Sequence, residues 1–158
     1  MLTTRSPTGR TFGPPAYTLV EVLVTLLIIA TALTALLGLQ ISALSAAQQS
    51  QFRSQAGFAA ADMAERMRLN QPAVSTGAYL LEVTGSVPDC QGAAACSPEE
   101  MAAFDLRQWQ QWLSATLPLG RGCIESPLPG YRAITVHWDN SRDGVAEASV
   151  RLLAAVGD

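Results

Sequence analysis

The chain has no lysine and only one histidine, His137, among its 158 residues. Its ten positive charges are therefore all arginines, which are scattered along the chain, and the formal net charge is −3. A nucleic-acid-binding surface needs a basic patch or stripe, which this distribution does not provide. A single histidine and three widely spaced cysteines also match no common zinc site. We therefore expect no nucleic-acid partner, no metal and no cofactor.

Charge is also missing from one long stretch, because no charged residue lies between Glu21 and Arg53. The residues from Val22 to Leu39 are almost all apolar, and a helix of about 20 such residues can span a bilayer. Glu21 stands at the head of this run, where an ionised carboxylate in lipid would cost about 2.5–3.5 kcal/mol. A simple membrane anchor has no use for this acid, so we predict that Glu21 has a partner.

The apolar run is the first half of a predicted helix over residues 17–70, which ends because Pro72 disfavours helix in the residue before it. Residues 17–39 form a membrane or assembly half, and residues 40–70 form an amphipathic half. At 1.5 Å per residue the helix would be about 80 Å long, so half of it must stand outside a bilayer. The amphipathic half has one apolar stripe at helical spacing, made of Phe52, Ala56, Ala59, Met63 and Met67.

Two ion pairs are predicted on the polar side of this helix. Asp62 and Arg66 are four residues apart, and Glu65 and Arg68 are three apart, which places each pair on one helix face. These charges are interpreted as a solvated outer face, and the alternative is an epitope for a partner protein.

Residues 1–16 have the composition of a leader, being basic and rich in proline, glycine and threonine. A secretory signal peptide places its apolar region before the cleavage site, whereas here the apolar run follows. Removal of residues 1–16 would therefore leave the hydrophobic helix on the mature protein. The alternative is an uncleaved single-pass anchor, with Arg5 and Arg10 holding the N-terminus in the cytoplasm.

The junction after this leader resembles the prepilin signature of type IV pilins and type II secretion pseudopilins. The leader ends at Ala16, where such leaders usually have glycine, and Glu21 is the fifth residue after the junction. The resemblance implies that a prepilin peptidase cleaves between Ala16 and Tyr17 and methylates the new N-terminus at Tyr17. It also implies that Glu21 is a subunit-assembly contact, paired with the N-terminal amine of a neighbouring subunit.

Motifs further along narrow the resemblance to the minor pilin described as type IV pilus modification protein PilV. They are Ala61-Asp62-Met63-Ala64-Glu65-Arg66-Met67-Arg68, Cys96-Ser97-Pro98-Glu99-Glu100-Met101-Ala102, Phe104-Asp105-Leu106 and Trp109. The resemblance implies a non-enzymatic subunit that helps to prime pilus assembly, lies near the pilus tip and influences adhesion or twitching motility.

The expected partners are other minor and major pilins, the prepilin peptidase and the inner-membrane assembly machinery. The expected location is the inner membrane, with a single span and a periplasmic globular domain, and then the pilus. Two alternatives stay open: a minor pseudopilin of type II secretion, and a membrane-tethered periplasmic binding or enzymatic domain.

Residues 71–158 are predicted to form that globular domain, and the whole chain an α+β fold. Residues 78–83 are predicted as a strand. A helix follows, with Ser97 as its N-cap and Glu100 completing a capping box, and runs to about Leu117. Its predicted buried face is Ala102, Leu106, Trp109, Leu113 and Leu117.

The C-terminal part is predicted as a β-hairpin. Residues 132–138 and 145–153 alternate between apolar and polar, and the turn chemistry lies in residues 139–144. His137 is interpreted as an ordinary strand residue. The turn lacks the spaced acids and terminal glutamate of an EF-hand.

Three cysteines suit an oxidising compartment with one disulfide and one thiol left over. Cys96 starts the predicted helix and Cys123 follows its other end, about 30 Å away. Bridged cysteines need Cα atoms within about 4.4–6.8 Å, so we predict a Cys90–Cys96 disulfide. Cys123 is predicted to be a buried free thiol.

Overall fold

The computed structural model describes residues 18–91 and 95–156. In chain order the elements are α1 (Leu19–Leu69), α2 (Gln71–Ser75), a 3₁₀ turn (Ala78–Leu80), α3 (Pro98–Thr116), β1 (Arg121–Glu125), β2 (Tyr131–Trp138) and β3 (Ala148–Ala155). The predicted α+β class, with a long N-terminal helix, is confirmed.

The chain divides into two compact units, of which the first ends at Leu44 and the second begins at Ser45. The described part of the first unit is residues 18–44, which contain only the N-terminal portion of α1 and have exposed side chains throughout. The second unit, residues 45–156, is named the head unit and holds every other element.

The core of the head unit is built where the helix periodicities predicted it. Ala56, Ala59, Met63 and Met67 of the α1 stripe are buried, and Phe52 packs against the same core. The five residues predicted on the α3 face are all buried as well. The indole Nε1 of Trp109 donates a hydrogen bond of 2.9 Å to the Ala59 carbonyl, which joins α3 to α1.

The capping box of α3 is present as predicted. The Glu100 backbone N–H donates to the Ser97 hydroxyl at 3.2 Å, and the Ser97 N–H donates to the Glu100 carboxylate at 2.8 Å. Pro98 occupies the first turn, where a missing N–H is tolerated. These local contacts fix where α3 begins, so they could be identified from four residues of sequence.

The three strands form one antiparallel sheet in the order β1-β2-β3. The predicted hairpin corresponds to β2 and β3, with Ile134 opposite Leu152. β3 begins at Ala148, later than predicted, because Glu147 accepts hydrogen bonds from the backbone of the turn. β1 was not predicted, since its five residues include Gly122 and show no clear alternation.

The predicted strand over residues 78–83 is wrong. Gly77 has a positive φ of 77°, which turns the chain, and the Leu80 N–H donates to the Gly77 carbonyl at 2.9 Å. Ala78–Leu80 is therefore a 3₁₀ turn. The turn buries Tyr79, and this burial outweighs the strand propensity of the sequence.

The cysteines give one agreement and one correction. Cys90 and Cys96 form a disulfide with Cα atoms 5.9 Å apart. Cys123 is free, but the prediction that it is buried is wrong, because its side chain is exposed. Side chains alternate along a strand, and on β1 it is Gly122 and Ile124 that face the core.

Gly122 is predicted to be irreplaceable in this packing. A Cβ at this position would lie 2.1–2.8 Å from three atoms of the Trp109 ring. Because that ring is held by Ala59, we expect Gly122→Ala to lower the free energy of unfolding by about 1–3 kcal/mol or more. The measurement is denaturant unfolding of the full chain in detergent.

Gly57→Ala provides the matched control for this experiment. Gly57 lies in α1 and has no atom within 4 Å of a built Cβ, so alanine there should stabilise the helix by about 0.5–1 kcal/mol. A Gly122→Ala protein as stable as the wild type would show that the Trp109 ring yields without loss.

Candidate assembly site and polar network

The N-terminal part of α1 exposes an apolar surface of unusual extent. Between Leu19 and Leu44 the large aliphatic side chains are 47–77% exposed. Contiguous exposed apolar surface marks a membrane or protein interaction site. By length and composition, α1 is also able to cross a membrane.

The polar side chains within this apolar run are hydrogen-bonded to the helix itself. Thr25, Thr31 and Thr34 are the polar residues between Val22 and Leu39. Each threonine hydroxyl donates to a carbonyl three residues earlier, at 2.9, 2.9 and 2.8 Å. Such internal bonds remove the penalty of placing a hydroxyl in an apolar medium.

Glu21 carries a charge, and in this respect it differs from the aliphatic side chains and the threonines of the apolar run. It lies in the first turn of α1, where its backbone N–H donates to the Thr18 hydroxyl at 3.3 Å. Its side chain is exposed, and no residue in the described part of the chain forms an ion pair with it. The predicted cleavage and methylation positions, Ala16 and Tyr17, lie outside the described residues.

A second cluster of charge lies inside the head unit, centred on Arg66. The predicted pairs are both present, Arg66 with Asp62 at 2.8 Å and Arg68 with Glu65 at 2.7 Å. Arg66 is only 28% exposed, however, and its Nη1 also donates to Asp105 at 3.0 Å. Arg66 thus links α1 to α3, a role that the interpretation of a solvated outer face missed.

The network continues from Asp105 to the 3₁₀ turn. The Tyr79 hydroxyl donates to the second oxygen of Asp105 at 2.8 Å, so both carboxylate oxygens are used. Asn70 donates to the Tyr79 hydroxyl at 3.3 Å and to the Pro98 carbonyl at 2.8 Å. Three segments, the end of α1, the 3₁₀ turn and α3, therefore meet in one hydrogen-bonded network.

The electrostatics of this network favour a fixed protonation state. Burial, together with the bond to Asp105, raises the pKa of Tyr79 well above its ordinary value. Burial alone would lower the pKa of Arg66, but its hydrogen bonds to Asp105 and Asp62 outweigh that effect and raise it. Arginine stays charged and tyrosine stays protonated across the physiological range, so the network is suited to holding elements together.

The turn after β2 brings together three carboxylates, those of Asp139, Asp143 and Glu147, within 4.8 Å. Burial would raise the pKa of Asp139, but N–H groups of Gly144 and Arg142 donate to its carboxylate and hold the pKa below its ordinary value. The other two carboxylates accept backbone N–H groups of the same turn. These bonds account for the cluster as turn stabilisation.

The tryptophans of α3 have different environments. Trp109 is buried, as predicted, whereas Trp112 is 42% exposed and lines a shallow groove with Phe58.

His137 lies on β2 opposite Ser149, in agreement with its interpretation as a strand residue.

The long N-terminal helix, the three-stranded antiparallel sheet and the additional helix define a pilin-like α+β protein. The model of a family described as Tt1218-like, type IV pilin Tt1218, matches residues 38–107 of this chain. The match includes Arg66, Tyr79 and Asp105, and it supports a place in the type IV pilin superfamily. Comparisons with curated proteins and with solved structures gave no match.

The family match and the exposed helix together support a structural subunit that associates with other pilins. Proteins of this family are generally structural. The apolar N-terminal helix fits anchoring in a membrane and, later, a place in a pilus.

Proposed function

We propose that this protein is a minor type IV pilin, similar to the PilV type, that helps to prime pilus assembly. The observation that carries the proposal is the exposed apolar segment of α1, in which Glu21 is the one acid. The threonines of that segment donate hydrogen bonds to carbonyls of the helix itself. The Glu21 carboxylate is therefore the group of the segment that needs a partner.

The chain is divided by this function into a leader and three parts. Residues 1–16 are removed by the prepilin peptidase, and Tyr17 becomes the methylated N-terminus. Residues 17–39 lie in the inner membrane and later in the fibre, residues 40–70 continue the helix, and residues 71–158 form the periplasmic globular domain. The partners of the protein are other minor and major pilins and the assembly machinery. In this proposal the protein lies near the pilus tip and influences adhesion or twitching motility.

Assembly follows from the chemistry of the two charges. The new α-amine at Tyr17 is a cation next to an apolar segment, and Glu21 of a neighbouring subunit is an anion in the same medium. Each charge alone is expensive in lipid or in a fibre core, and pairing removes both penalties together. The contact is thereby selective for subunits that have been processed, because the unprocessed chain keeps its leader at that point.

The test is the intact mass of the protein recovered from membranes of cells with an active prepilin peptidase. We expect a chain that starts at Tyr17 and carries one added methyl group, because the charged leader directly precedes the apolar run. The control is the same protein from cells lacking the peptidase, which should retain Met1. Retention of Met1 in both strains would exclude the processing step and with it this function.

A further inference from the structure

The inference concerns the outer edge of the sheet, where β1 has no neighbouring strand among the described residues. The edge is closed at one point by the side chain of Gln110. The Gly122 N–H donates to Gln110 Oε1 at 3.2 Å, and Gln110 Nε2 donates to the Gly122 carbonyl at 2.6 Å. A carboxamide offers the same donor and acceptor as a peptide group, so Gln110 takes the place of one residue of a neighbouring strand.

The rest of the edge follows from the alternation of an antiparallel ladder. Because the Gly122 backbone points outward, the N–H and carbonyl of Ile124 point outward too. In the described part of the chain, no bond outside the sheet ladder uses these two groups. An open groove of about 470 Å³ lies beside them, lined by Leu106 and Trp109 of α3 and by residues 79–83.

We propose that β1 is a homodimerisation edge, to which β1 of a second copy adds in antiparallel orientation about Cys123. In that register Gly122 lies opposite Ile124 of the second copy, and both residues turn their backbone groups toward the partner strand. The proposal does not depend on the chain being a pilin.

Charge complementarity on β1 selects this register. Arg121 and Glu125 lie at equal distances on either side of Cys123, and both are exposed; Glu125 also lies 3.7 Å from Arg151 of β3, in an exposed pair that contributes little. A two-fold axis at Cys123 therefore places each arginine opposite a glutamate, twice in the dimer. A parallel strand in register would instead place like charges side by side.

Cys123 reports on the same register. Its own backbone groups point to β2, so in the dimer it would form a non-hydrogen-bonded pair with Cys123 of the second copy. Such pairs have Cα atoms about 4.5 Å apart, at the short end of the range for a disulfide. The exposed thiol is thus a built-in probe of the interface.

Gln110 controls access to this edge, since it must release Gly122 before a strand can add. Removal of its carboxamide abolishes two hydrogen bonds that compete with the dimer. We expect Gln110→Ala to tighten dimerisation at least about tenfold.

The experiment is crosslinking of the full chain in detergent by diamide, at a fixed ratio of protein to detergent. Two Cys123 thiols lose two protons and two electrons, diamide is reduced, and one S–S bond forms. We expect Gln110→Ala to crosslink at least about tenfold faster than wild type. The adjacent variant Gln111→Ala should match wild type, and Cys123→Ser should give no dimer.

Charge reversal tests the register in the Gln110→Ala background. Arg121→Glu should slow crosslinking, and the double change Arg121→Glu with Glu125→Arg should restore it. Gln110→Glu, which keeps the side-chain length but loses the donor to Gly122, should also crosslink faster, and circular dichroism should show that each variant is folded. Equal rates for Gln110→Ala and Gln111→Ala, failure of the double change to rescue, or a crosslink between Cys123 and another protein would each overturn the proposal.

Discussion

Glu21→Ala is expected to leave the protein in the membrane with its leader removed, yet to abolish most of its co-purification with partner pilins. Deleting one member of a buried charge pair strands the other, at a cost of about 3–5 kcal/mol. A penalty of that size lowers the occupancy of an assembly contact by about 100-fold or more. The measurement is the recovery of partner pilins with the variant and the wild type at equal membrane levels.

The opposite expectation follows if Glu21 merely tunes insertion. Removing an acid from an apolar helix makes the helix more hydrophobic, so the variant would be anchored at least as well as wild type. Thr25→Val is the matched control, because it also removes a polar group from the apolar run but leaves the charges unchanged. Unchanged partner recovery with Glu21→Ala would show that the acid has no pairing role.

Asp105→Ala should be the most destabilising single change in the polar network of the head unit. The substitution leaves the buried Tyr79 hydroxyl without its acceptor and removes the ion pair between Arg66 and α3, so that Arg66 keeps only its hydrogen bond to Gln108 on that helix. An unsatisfied buried donor costs about 1–3 kcal/mol, and the weakened arginine adds to this. We expect a loss of about 2–4 kcal/mol in the free energy of unfolding, measured by denaturant titration in detergent.

Asp62→Ala is the control, because it removes the other acid that pairs with the same arginine. The Asp62 side chain is 56% exposed, and exposed pairs of this kind contribute about 0.3–0.5 kcal/mol. The prediction is therefore that Asp105→Ala lowers the free energy of unfolding more than Asp62→Ala does, although both acids pair with Arg66. Equal losses for the two variants would mean that burial of Asp105 has no energetic weight.

The parts of the fold that were predicted correctly depend on local rules. The stripe from Ala56 to Met67 repeats at helical spacing, and the capping box of α3 spans four residues. Alternation over residues 132–138 predicted a strand, which is present as β2. In each case the signal is contained in a short window of sequence, and the element buries the face that the pattern indicates.

Two of the errors, the strand predicted over residues 78–83 and the outer face predicted for Arg66, arise from contacts between distant segments. In the 3₁₀ turn Ala78–Leu80, the Tyr79 hydroxyl donates a hydrogen bond to Asp105, which is 26 residues away. Arg66 bonds to the same carboxylate across 39 residues, and no local pattern distinguishes that arginine from Arg68. A single sequence contains the residues of such a network but not their proximity.

The candidate assembly site was accessible to sequence reasoning for a different reason. An uninterrupted apolar run with one acid at its head is visible without any tertiary structure, since the penalty for charge in an apolar medium depends on composition alone. Gln110, by contrast, is one of several glutamines in the chain, and only the backbone of Gly122 beside it shows what it does.

Within the head unit, hydrogen bonds tie α3 to α1: the Trp109 indole donates to the Ala59 carbonyl, and Arg66 donates to Asp105 and Gln108. Their mechanical consequence is distinct from their contribution to folding. In the fibre proposed above, tension is applied along α1, and a load entering α1 must pass sideways through these ties to reach α3. These hydrogen bonds must then yield in shear before the helices slide apart, so the resistance of the head unit to such a pull depends on the bonds made by Trp109 and Arg66.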